Sequence, residues 1–145
     1  MATSMGTRTG IGTRVGQGVV AGLAGGIVFG ALMAMMGMIG TIAMLVGSSG
    51  VAVGWLVHLV ISAGFGVVFA LVLPAGFGTG ATVGAGAGYG VVLWLIGPLL
   101  LMPAMMGMPL FMVNTTAMMS LVGHVLYGLV AAVVLVGLRH RAAAA

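Results

Sequence analysis

Two histidines dominate what this sequence offers chemically. His58 and His124 each sit in an apolar run with a small residue four positions before and four after, as Gly54-His58-Ser62 and Ser120-His124-Gly128. That spacing puts all three residues on one face of a helix. Two methionine-rich runs accompany them, Met35-Met36-Gly37-Met38 and its exact copy Met105-Met106-Gly107-Met108. Imidazole with thioether is a soft donor set suited to Cu(I). The candidate metal ligands are therefore His58, His124, Met35, Met36, Met38, Met105, Met106 and Met108. His58 and His124 are equally candidates for the two axial ligands of haem b, with their small neighbours leaving room for the macrocycle. A third reading gives each histidine a plain hydrogen bond to a neighbouring helix and treats the 14 methionines as flexible core filler.

The rest of the composition removes most other chemistry. The chain has 145 residues with four arginines, no lysine, no Asp or Glu and no cysteine. Carboxylate acid–base catalysis, a Ser-His-Asp triad, a carboxylate metal cage and a membrane proton relay all lack their essential groups. So do a P-loop, a Schiff base, a zinc finger, an iron–sulfur cluster and a disulfide. The expectation is a protein that is not an enzyme.

Charged residues make up 3% of the chain against 62% apolar, and mean hydropathy is +1.37. A soluble domain carries about 25% charged residues, so these figures point to a membrane protein. Four apolar stretches, at about 18–45, 51–73, 81–102 and 112–138, reach the roughly 20 residues a bilayer core demands. Gly47-Ser48-Ser49-Gly50, the run from Pro74 to Gly80, and the run from Pro103 to Pro109 separate them, all turn-forming in character. The first stretch reads as a retained span and not a signal peptide. Arg8 and Arg14 precede the first span, and Arg139, His140 and Arg141 follow the last. Positive flanks favour the cytoplasmic side, so both termini are expected there, on basic ends that meet lipid headgroups and not nucleic acid.

Glycine supplies the packing surfaces. Gly18, Gly22, Gly26 and Gly30 recur every four residues in the first span, and Gly80, Gly84 and Gly88 open the third in the same way. Such glycine zippers let helix backbones approach where lipid provides no hydrophobic drive, and a spare face would serve a homo-oligomer or a larger membrane complex. The repeated Met-Met-Gly-Met run, followed each time by a histidine, predicts a duplicated helical hairpin with repeats at about 15–73 and 81–139. A parallel repeat of this kind brings the histidines to similar depth. His124 lies 15 residues before Arg139, about 22 Å from the cytoplasmic end of its helix, in the outer half.

Smaller landmarks complete the reading. Asn114-Thr115-Thr116 is placed to cap the fourth span, and Pro98 is expected to kink the third. Gly84-Ala85-Gly86-Ala87-Gly88 opens an apolar helix with no preceding strand, which excludes a nucleotide loop.

The Met-Met-Gly-Met run, Gly-Trp-Leu-Val-His at Gly54 to His58, Gly-Tyr-Gly at Gly88 to Gly90 and Gly-His-Val-Leu-Tyr-Gly at Gly123 to Gly128 together resemble a family of small four-span prokaryotic membrane proteins of unknown function. Some of these carry a sodium:proline symporter label. The resemblance implies a helical bundle and supplies no activity. A chain of 145 residues lacks the length and broken helices of such a symporter. The small multidrug exporters, also four-span, depend on a membrane glutamate that is absent here.

The expectation is thus an all-α, four-helix transmembrane bundle forming one domain over residues 1–145, multi-pass in the inner (plasma) membrane. Its function is read as binding Cu(I) or haem between the second and fourth spans. The alternatives are a structural or accessory subunit packing through its glycine faces, or a small uncoupled pore or transporter.

Overall fold

The computed structural model describes residues 10–144; Arg8, one of the flanking arginines, lies outside the described residues. These fold into helices α1 (Ile11–Met35), α2 (Ile39–Ala43), α3 (Val51–Val72), α4 (Thr79–Ile96), α5 (Met102–Met105) and α6 (Thr115–Ala144), with no strand among the described residues. Four stretches, Ile11–Met35, Val51–Val72, Thr79–Met105 and Thr115–Ala144, are long and apolar enough to cross a membrane. The 22-residue α3 extends about 33 Å at the α-helical rise, enough for a hydrocarbon core of about 30 Å. The protein is therefore a multi-pass membrane protein by the length and composition of its helices.

The first span differs from the expected 18–45. It begins earlier, at Ile11, and ends at Met35, and the apolar residues that follow form the separate short helix α2. The break is the Met-Met-Gly-Met run itself. Gly37 adopts φ +68°, and Met38 N–H donates to Met33 O at 2.8 Å while Gly37 N–H donates to Ala34 O at 3.0 Å. This pair of bonds around a left-handed glycine is a Schellman helix stop. The second copy repeats it: Gly107 has φ +66°, Met108 N–H donates to Pro103 O at 2.8 Å and Gly107 N–H to Ala104 O at 3.4 Å. The same four letters thus end two helices with the same turn.

Pro98 does not simply kink the third span. Gly97–Leu101 forms one π-helical turn between α4 and α5, a wider winding that accommodates a residue with no N–H to donate. Leu99 O in that turn accepts from Phe111 N–H at 2.8 Å, tying the following loop back to it. Helix α6 starts as its cap residue demands, with Asn114 Oδ1 accepting from Ala117 N–H at 2.9 Å.

Helix α1 packs closely against both α3 and α6, and α4 packs against α6, whereas α3 and α4 scarcely touch despite their short link. The glycine stripe of α1 explains the closest pair. A Cβ on Gly18 would lie 2.6 Å from Val67 Cα, one on Gly22 2.9 Å from Gly66 Cα, and one on Gly26 would press on the Ser62 side chain at 2.6 Å from its Oγ. On α4 the face that packs is not the expected one. Gly86 abuts Gly128 and Gly90 abuts His124 O, while Gly80, Gly84 and Gly88 meet open space. Two residues along an α-helix is more than half a turn, so the two glycine sets point in nearly opposite directions. Ala21, Ala70, Ala131 and Ala132, with Phe69, Leu73 and Leu135, fill the core toward the end where α1 begins and α6 ends.

Candidate functional site

The two histidines come together around one phenyl ring. Phe29 on α1 stands edge-on to His58 of α3 at a centroid distance of 5.5 Å and to His124 of α6 at 4.6 Å. His58 is buried and His124 half-buried. Trp55, one turn before His58, packs against that imidazole edge-on at 6.2 Å and lies on Gly30 of α1. Gly123 is the mirror requirement on α6, since any Cβ there would collide with the Phe29 ring. The layer continues with Leu93 and Tyr127, with Met33 packed beside them.

The hydrogen bonds identify the donor nitrogen of each ring. His58 Nε2 lies 2.9 Å from Gly26 O. A carbonyl only accepts, so this nitrogen carries a proton and donates it. His124 Nδ1 lies 2.8 Å from Ser120 O one turn back in its own helix, with Ser120 Oγ at 3.3 Å. Its Nε2 lies near the π turn, with a Cβ on Gly97 reaching within 3.9 Å of it. Each imidazole makes a hydrogen bond to a main-chain carbonyl, His58 across to α1 and His124 within α6.

The methionines are arranged differently from the histidines. Met35 is 85% exposed, and Met105, Met106 and Met108 are also exposed, with Met36 and Met38 half-buried. Among the described residues no group of three or more His, Cys, Asp or Glu side chains is placed to hold a metal ion. The small residues flanking the histidines do not leave open space either. Gly54 is closed off by Ile39 O of α2, Ser62 by Gly26, and Gly128 by Gly86. With Phe29 packed against both imidazoles and backbone against Gly54 and Gly128, a haem macrocycle does not fit the bundle as it is packed.

Other polar side chains at this depth were not anticipated as a set. Tyr127 OH on α6 donates to Ser62 O on α3 at 2.6 Å, Trp94 Nε1 on α4 to Ala117 O on α6 at 2.7 Å, and Tyr89 OH on α4 to Phe65 O on α3 at 2.9 Å. Tyr89 also stacks on Phe69 at 5.0 Å, bridging the two helices that otherwise scarcely meet. At the end where α1 begins, Arg14 NH2 on α1 donates to Ala70 O, Leu71 O and Leu73 O at 2.7, 3.1 and 2.9 Å, closing the carbonyl end of α3. Among the described residues, the side-chain hydrogen bonds that cross between helices all end on a main-chain carbonyl. A tyrosine or tryptophan in an apolar helix signals such a bond only weakly, because its partner has no side-chain signature.

The described residues thus form an all-helical membrane protein with four candidate spans, in which His58, Tyr89, Trp94 and Tyr127 latch one helix to the next. No known protein family, curated protein or solved structure matches the chain.

Proposed function

We propose that this protein is a non-enzymatic structural or accessory module of the plasma membrane, with both termini cytoplasmic, that acts by assembling with a second copy of itself. The observation that carries this reading is the use of the interior polar groups. His58, Tyr89, Trp94 and Tyr127 each bond a neighbouring helix carbonyl, which stiffens the bundle and commits these interior polar side chains to joining helices. The surface for assembly is the bare stripe of Gly80, Gly84 and Gly88 on α4. It has the spacing that α1 buries completely against α3, and a glycine stripe of this kind is complementary to itself in a symmetric crossing. Basic residues at the chain ends, Arg14 and Arg139 to Arg141, support the inward orientation. The test is the stoichiometry in lipid vesicles by single-molecule photobleaching of the labelled full chain. Wild type should show two-step bleaching at high protein density, and Gly84→Leu should shift to single steps with unchanged far-UV circular dichroism. A wild type that is monomeric at every density, or a Gly84→Leu chain that assembles like wild type, overturns the proposal.

A second reading, Cu(I) binding, is favoured by one specific feature. The imidazoles of His58 and His124 flank the same ring, and each has one ring nitrogen outside its carbonyl bond. In this reading Phe29 swings aside and the two nitrogens take the ion linearly, a geometry that a soft monovalent metal accepts. Equal copper content in wild type and in the His58→Ala/His124→Ala double variant, after loading under reducing conditions, refutes it.

A further inference from the structure

At the end of the bundle where α1 begins and α6 ends, a cleft of about 910 Å³ opens between the first turns of α1, the last turns of α6 and the α3–α4 loop with the start of α4. Its polar lining is Arg14, Gln17, Thr79, Thr82, Arg139 and His140. Two of these have polar atoms without partners. Thr82 is only 1% exposed, and its Oγ1 makes no hydrogen bond; Arg139 NH1 is likewise buried and unpartnered. A helical threonine commonly satisfies its hydroxyl on the carbonyl one turn back, and Thr82 does not. A buried donor with no acceptor is costly, and a guanidinium nitrogen more so, so both call for a group from outside the described chain.

The electrostatics of the cleft specify the sign of that group. The sequence has no Asp or Glu, so no side-chain carboxylate of the chain can neutralise Arg14 or Arg139. The helices α1 and α4 both begin here, and neither Gly10 nor Gly78 offers a side chain to cap them. The uncapped first turns of both helices therefore border the cleft at Gly10, Ile11, Gly78 and Thr79, and helix N-termini favour anions. Guanidinium, hydroxyl and main-chain N–H donors approaching from three elements suit an anion with several oxygens. The size of the cleft and its apolar members Ile11, Phe77 and Val136 leave room for an organic substituent.

We propose that this cleft binds a phosphate group, as a monoester or diester, held by Arg139 and Thr82 between the opening turns of α1 and α4. The same chemistry is presented by the headgroup of an anionic phospholipid at the membrane surface and by a soluble phosphate. The two sources separate in one experiment on the full chain in a non-phosphate detergent. Thermal unfolding is followed by tryptophan fluorescence during titration with sodium phosphate or with dioctanoyl phosphatidylglycerol. Sodium chloride at matched ionic strength and dioctanoylglycerol, which lacks the phosphate, are the controls. The site raises the unfolding temperature saturably over the controls. Saturation by both phosphate probes identifies a general phosphate site, and saturation by phosphatidylglycerol alone identifies a headgroup site.

Arg139→Gln and Thr82→Val should each shift the half-saturation point upward, by roughly tenfold for the charged donor and less for the hydroxyl. Thr82→Ser, which restores the hydroxyl, and Arg141→Gln, outside the cleft lining, should titrate like wild type. Thr82→Val preserves side-chain shape and carries the test if Arg139→Gln fails to fold. No stabilisation beyond the controls, or titrations unchanged in Thr82→Val and in a folded Arg139→Gln, overturns the proposal.

Discussion

Gly66 and Gly64 lie two residues apart on α3 and make a controlled test of how tightly α1 and α3 are joined. A Cβ on Gly66 would collide with Gly18 O and Gly22 Cα and stand 2.6 Å from Gly22 N, all main-chain atoms of α1, whereas one on Gly64 meets nothing within 4 Å. Replacing either glycine by alanine changes the intrinsic helix preference by the same amount, so that contribution cancels between the two variants. What remains is the packing cost at Gly66. Ordinary carbon contacts begin near 3.5 Å, so the helices must part by about 1 Å, a gap at which neighbouring contacts lose a quarter to a half of their attraction. Overpacking of this kind costs about 1–3 kcal/mol. Gly66→Ala should therefore be less stable than Gly64→Ala by about 1–3 kcal/mol, measured by reversible unfolding in mixed micelles with increasing denaturing detergent. A Gly66→Ala chain as stable as Gly64→Ala would show that α1 and α3 are not in main-chain contact, and the glycine-mediated packing of the bundle would be refuted with it.

Three further outcomes follow from other parts of the structure. Gly37→Ala and Gly107→Ala each place a Cβ on a left-handed residue and should each cost about 1–2 kcal/mol; the double variant should show the sum, since the sites are in separate loops, and a neutral result at both would refute the helix-stop assignment. Asn114→Ala should cost about 1 kcal/mol through loss of the α6 cap and Asn114→Asp should retain most of it, read in the same unfolding assay. Tyr127→Phe removes the bond to Ser62 O and should cost about 0.6 kcal/mol, the average for a hydrogen bond between membrane helices; hydrogen exchange at α3 that is unaltered, with no stability change, would mean that the bond contributes nothing.

Much of the architecture was readable from the order of residues, and the failures have definite causes. Apolar length marked four spans because a bilayer imposes a minimum helix length. Hydropathy could not see where the first span stops, because Met36, Gly37 and Met38 are as apolar as their neighbours and the stop is a single backbone angle at Gly37. The duplicated Met-Met-Gly-Met run was visible as a repeat, yet its role as a helix stop depends on main-chain hydrogen bonds that its side chains do not advertise. The Asn114 cap was legible because its side chain is the capping group. On α4 the glycines at 80, 84 and 88 look identical to those of α1, and only tertiary packing selects the Thr82-Gly86-Gly90 face instead. The inward placement of His58 followed from its small neighbours. The contact of Phe29 with both histidines did not, because Phe29 precedes His58 and His124 by 29 and 95 residues in the chain and nothing local pairs it with either ring.

The main-chain acceptors also shape how this sequence can drift. Every residue contributes a carbonyl whatever its side chain, so a change at Gly26, Ser62, Phe65 or Ala117 cannot delete the acceptor that His58, Tyr127, Tyr89 or Trp94 uses. Substitution pressure is therefore one-sided. The donor positions are held to a chemical type, while the acceptor positions are held only to a size that lets the helices meet. A saturation screen for folded protein should show that asymmetry directly: narrow chemical tolerance at the four donors, and at Ala117 and Ser62 a tolerance ranked by volume and indifferent to polarity.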